Sequence, residues 1–121
     1  MSAQDVVTVA LCSLVGAAAG AAWAGGAGAV LGVIAGAAWG VLANRLLVRP
    51  AIAVSVFTGT VVGAYLGRSI VRALCLPGSC VALEVVAAVL LGAGAFVGVG
   101  LVAALVTRSF DEYREIGKPP P

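Results

Sequence analysis

No charged residue interrupts the chain from Val6 to Ala43. As a single helix that run would extend about 57 Å, roughly twice the hydrocarbon thickness of a bilayer. It is therefore expected to fold back on itself. The natural break is the GGAG stretch at Gly25–Gly28, where adjacent glycines remove the steric preference for helix. This places helices over about 5–24 and 28–44. The polar NRLLVRP segment follows, ending in Arg49 and Pro50, and a proline suits the first turn of a helix. A third helix is expected from Pro50 to about Leu74, its apolar part closing at Gly67 before Arg68 and Arg72. CLPGSC reads as a tight turn with Pro77 and Gly78 at the centre of a type II turn. A fourth helix then runs over about 81–106.

The tail RSFDEYREIGKPPP is charged and ends in three prolines. Residues 1–107 are thus expected to form one four-span transmembrane domain, and 108–121 a tail in water, with its first part able to prolong the fourth helix. The fold class is all-α, a compact membrane bundle of the glycine-zipper kind.

Composition supports lipid as the solvent. Of 121 residues, 62% are hydrophobic and 10% charged, and the mean hydropathy is +1.16. A soluble domain carries about 25% charged residues, so this chain has too little polar surface to coat a globule in water. The opening MSAQD holds an acid and no Lys or Arg, unlike the basic start of a secretory signal. Residues 1–25 are accordingly read as a span.

With an even number of spans, both termini share one side with Arg45, Arg49, Arg108, Arg114 and Lys118, against Arg68 and Arg72 opposite. The positive-inside rule then places both termini in the cytoplasm. The net charge of +2 is too small and scattered for nucleic acid. No His and three Cys give no metal site, and no cofactor is expected.

Glycine spacing is the specific feature. Gly16 and Gly20 are four apart; Gly28, Gly32, Gly36 and Gly40 continue the spacing, as do Gly59, Gly63 and Gly67. Gly92, Gly94, Gly98 and Gly100 follow in the fourth helix. Each row lies along one helical face and lets another backbone approach closely, which is how helices associate in lipid. AGAAW recurs at Ala19–Trp23 and Ala35–Trp39 because both arms of a hairpin need a small face followed by an indole. Trp23 and Trp39 are candidate interfacial anchors, with packing between helices the other role open to Trp39. The rows are expected to be helix interfaces, within the bundle and toward another membrane protein or a second copy.

Candidate chemistry is sparse. The span hydroxyls Thr8, Ser13, Ser55, Thr58, Thr60 and Tyr65 have no His or mid-span Lys, Asp or Glu to pair with, so no nucleophile is activated. The hydroxyls of Ser and Thr are expected to bond to carbonyls of the preceding turn. Glu84 complements a helix N-terminus and is expected to pair with Arg72 or Arg68. Cys75 and Cys80 flank the turn at disulfide distance, with free thiols the alternative; Cys12 is a small packing residue. YREI at Tyr113–Ile116 has the form of a tyrosine-based sorting signal, against which stands a frayed amphipathic turn.

The first hairpin is similar in style to the ring subunit of rotary ATPases, but no acid lies between Asp5 and Glu84 to carry a proton. It also resembles the ridge-forming subunit of mitochondrial contact sites, which has two spans. Small multidrug exporters and fluoride channels share the size and span count without their polar residues appearing here. The expected function is a non-enzymatic assembly or accessory subunit in a lipid bilayer. The alternatives are a homo-oligomeric, holin-like pore and, third, a small-solute transporter.

Overall fold

The computed structural model of the chain describes residues 2–76, 78 and 80–120. Within them the protein is helical throughout, as α1 (Ala3–Arg45), α2 (Pro50–Leu74) and α3 (Val81–Ile116). All three are long and apolar enough to cross a membrane.

α1 begins in a capping box. The Ser2 hydroxyl accepts from the Asp5 N–H, while the Ser2 N–H donates to the Asp5 carboxylate at 2.9 Å.

The two helices expected over 5–24 and 28–44 are a single element here, interrupted where Ala24 (φ −141°, ψ 25°) and Gly25 (φ 64°, ψ −140°) leave helical geometry. Gly25 takes the left-handed φ that only glycine adopts cheaply. The chain reverses there, and the halves on either side lie against each other. A Cβ built on Gly16 would fall on the carbonyl of Gly32, and one on Gly20 would fall on that of Gly28. Gly36 meets the Cys12 carbonyl in the same way, and Gly40 lies 2.8 Å from the Val9 Cα when given a Cβ. The open ends are joined by the Asn44 amide, which donates to the Asp5 carbonyl at 3.2 Å.

α1 closes at Leu46 and Leu47. The Val48 N–H reaches back to Ala43, and Leu47 sits at φ 56° with its N–H on Asn44, the arrangement usually given to glycine. α2 has the bounds expected of it. α3 runs past the expected 106 to Ile116, because nothing between Thr107 and Ile116 breaks a helix and Arg108 pairs with Glu112 one turn on at 3.3 Å. The turn expected around Pro77–Gly78 lies partly outside the described residues.

α2 and α3 pack antiparallel along most of α2, and α2 also touches α1, leaving α2 between the other two. A Cβ on Gly63 would stand 2.6 Å from the Ala95 Cβ and 2.8 Å from the Leu91 carbonyl, and one on Gly67 2.6 Å from the Ala87 carbonyl. The buried positions are mostly small: Thr8, Cys12, Ala43, Ala53, Val56, Ala88 and, of the seam glycines, Gly16, Gly28, Gly36, Gly40, Gly67 and Gly92. Large apolar side chains such as Leu14, Leu31, Leu90, Leu101 and Leu105 are instead exposed. A surface of that kind is suited to hydrocarbon rather than water.

Candidate functional site

Three features distinguish the molecule: the glycine seams, a crevice beside α2, and a charged cluster at one end. The seams come first because they decide the shape. Where two helices meet through glycine, backbone touches backbone, and dispersion contact replaces the hydrophobic effect that lipid cannot supply. Gly16, Gly20, Gly28, Gly32, Gly36 and Gly40 are consumed in the seam of α1; Gly59, Gly63 and Gly67 are consumed against Val99, Ala95, Leu91 and Ala87 of α3.

The glycines of α3 divide. Gly92 meets the Ala64 Cβ at 3.3 Å and Gly100 only just reaches Val56 at 3.9 Å, whereas a Cβ on Gly94 or Gly98 would meet nothing within 4 Å. These two lie one turn apart, about 200–240° around the helix from Gly92; Gly98 borders a groove beside Ala51, Ile52 and Ser55 of α2 without touching them. The fourth row is therefore not one continuous contact surface.

A crevice runs between α1 and α2. Its upper part, about 430 Å³, has the α1 glycine seam as its floor and Phe57, Val61, Ala64 and Tyr65 of α2 as a wall. A lower part of about 360 Å³ shares Ala35, Phe57 and Thr60 with it and continues to Trp39, Leu42 and Phe96. The lower end is closed by Trp39, which is turned inward. Its indole N–H donates to the Ala53 carbonyl at 3.0 Å, and its ring meets Phe96 edge-on with centroids 5.5 Å apart.

The upper end carries the ionisable groups. The Arg68 guanidinium stands over the Trp23 ring, 5.1 Å from its centroid, in cation–π geometry. Its Nε is 3.5 Å from the Glu84 carboxylate, with the two side chains 21% and 14% exposed. Glu84 is thus paired with Arg68, and the pairing with Arg72 is corrected. The reason is rotational: Arg68 lies about 100° around α2 from Gly67, which marks the α3-facing side, and Arg72 about 140°. Arg72 is exposed and makes no ion pair among the described residues.

Cys75 and Cys80 lie just beyond this cluster, with their Cα atoms 6.0 Å apart and their sulfur atoms joined. Cys12 is buried in the α1 seam.

At the opposite end, Arg49 reaches Asp111 at 3.0 Å and ties the start of α2 to the extension of α3. On the other face of that extension Phe110, Tyr113 and Ile116 are exposed, so Tyr113–Ile116 is a regular helical turn here.

The span hydroxyls are engaged locally. Thr8, Ser13, Ser55 and Thr60 each donate to the carbonyl four residues earlier, at 2.7–2.9 Å. Among the described residues no cluster of three or more His, Cys, Asp or Glu side chains could hold a metal ion.

The paired role of Arg68, which stacks on α1 and pairs with α3 at once, is not legible in the sequence, because spacing within α2 does not say which neighbours meet it. No protein family, curated protein or solved structure matches this chain.

Proposed function

We propose that the protein is a small multi-pass membrane subunit, non-enzymatic, that assembles with a partner helix through the face of α3 bearing Gly94 and Gly98. The observation that carries this reading is the contrast among glycines. A glycine costs about 1 kcal/mol relative to alanine inside a helix. At the seam glycines of α1 and α2 that cost is offset by close contact with the neighbouring helix; at Gly94 and Gly98 nothing among the described residues offsets it. A partner of the same small-residue kind, a second copy or another membrane protein, would do so.

Four crossings follow from the reversal at Ala24–Gly25, with glycine-zipper seams holding the spans. About 18 apolar residues separate Asp5 from Trp23 and Arg49 from Arg68, each close to the thickness of a hydrocarbon core. The excess of Arg and Lys beside the chain ends favours termini in the cytoplasm.

The test is crosslinking in native membranes, followed by mass spectrometry of the adduct. Gly94→Leu with Gly98→Leu is expected to abolish the crosslinked species at unchanged or slightly raised stability, because leucine is the better helix former. An adduct of the same mass and yield in the double variant would remove the interface reading.

The Cys75–Cys80 link belongs to the same reading, since the turn would face the compartment where disulfides persist. A membrane-impermeant maleimide is expected to label these thiols on intact cells only after reduction. Labelling without reductant would show free thiols, and labelling only in lysed cells would invert the orientation.

A further inference from the structure

We propose that the crevice between α1 and α2 holds an acyl chain of one membrane phospholipid whose anionic headgroup lies against Arg68 and Arg72. The proposal rests on the chain lying in a bilayer and is independent of the Gly94–Gly98 interface.

The crevice asks for an apolar occupant. Its upper part is bounded almost wholly by carbon; of the two hydroxyl-bearing residues there, Thr60 and Tyr65, Thr60 already donates to the Val56 carbonyl at 2.8 Å. The floor is bare backbone at Gly16, Gly20, Gly28 and Gly32, which leaves a smooth trough.

The mouth asks for negative charge. Ala64 lines the wall, and Arg68 and then Arg72 continue the same stripe of α2 one and two turns further on. Arg68 faces the one carboxylate there, Glu84, and Arg72 one turn further on adds a second positive charge, so a unit of positive charge is left over at this end of α2. Glu84 takes the Nε edge of Arg68, while Arg72 has no partner among the described residues. Guanidinium groups bind phosphate oxygens in paired hydrogen bonds. A phosphate there would sit at the end of a trough shaped for its own hydrocarbon tail.

Brominated acyl chains quench indole fluorescence on contact, and Trp23 lines the crevice. The experiment uses the full chain with Trp39→Phe, leaving one indole, in phosphatidylcholine bilayers containing brominated phosphatidylglycerol or brominated phosphatidylcholine. Trp23 is expected to be quenched with an apparent preference for the anionic lipid of about fivefold for each arginine engaged. Arg72→Gln, which breaks no ion pair or side-chain hydrogen bond among the described residues, is expected to lower that preference by about the same factor. Native mass spectrometry of the unaltered chain should retain phosphatidylglycerol over phosphatidylcholine in the same ratio, a measurement that does not depend on the tryptophan replacement. Equal quenching by the two lipids, or a preference unchanged in Arg72→Gln, overturns the proposal. Failure of either lipid to reach Trp23 also overturns it, since protein would then fill the crevice.

Discussion

Gly32→Leu is expected to open α1 and leave little folded protein, the largest effect of any single replacement considered for this chain. The obstacle to a side chain at 32 is the carbonyl oxygen and carbonyl carbon of Gly16, with no rotatable group that could turn aside. Inserting extra carbon atoms into a packed interior costs typically about 1–3 kcal/mol when side chains can yield, and more when they cannot. Here the two halves of α1 would have to separate along much of their length, losing the contacts of Gly36 and Gly28 as well. Gly16→Leu should behave alike.

The comparison that makes this decisive uses two other glycines of the same helix. A Cβ on Gly26 meets nothing, so Gly26→Leu should unfold in a detergent titration at nearly the wild-type midpoint. Gly25→Ala also finds open space, but its φ of 64° with ψ −140° is a conformation nearly reserved for glycine and should cost about 1–3 kcal/mol. Equal midpoints for Gly32→Leu and Gly26→Leu would refute backbone contact as the basis of α1.

Glu84→Gln is the second large expectation. It leaves the Arg68 guanidinium, mostly covered and pressed on Trp23, without a counter-charge at the edge of an apolar environment. Removing one member of a fully buried pair costs about 3–5 kcal/mol; with these side chains still partly exposed, about 1–3 kcal/mol is expected. The loss should appear as a lowered unfolding midpoint. Adding Arg68→Met to Glu84→Gln should recover most of it, because the orphaned charge is then gone. A double variant no better than Glu84→Gln alone would mean that Arg68 contributes through stacking on Trp23 rather than through its charge.

Much of this architecture is open to inspection in the primary structure. Adjacent glycines at 25 and 26 permit a reversal that no other residue allows cheaply, and Pro50 starts α2 where a proline fits. The hydroxyls of Thr8, Ser13, Ser55 and Thr60 turn to their own helix because nothing else in the spans would receive them.

What stays hidden concerns neighbours. A four-residue period states that Gly28, Gly32, Gly36 and Gly40 share a face; it does not state that the face meets Gly20, Gly16, Cys12 and Val9. The same period groups Gly94 and Gly98 with Gly92 and Gly100, although 92 and 94 point in nearly opposite directions. Trp39 is ambiguous for a like reason, since an indole near a span end serves a headgroup or a neighbour equally well until Ala53 and Phe96 are seen beside it. Arg68 and Arg72 differ by one turn, and the choice between them as partner of Glu84 depends on the rotation of α2. The end of α3 lies beyond the apolar span, in the stretch expected to prolong it, because a change from apolar to charged residues marks where lipid would stop, whereas helix stops only at Gly117.

The crevice is clasped at both extremities, by Trp39 against Phe96 below and by Trp23 beneath Arg68 above. Both indoles thus stand at the ends of the trough, and its long side lies between the two helices. Whatever occupies the trough must slide in sideways from the surrounding oil, between the flank of α1 and the flank of α2. Its residence time would then be governed by how far those two ribbons sway apart.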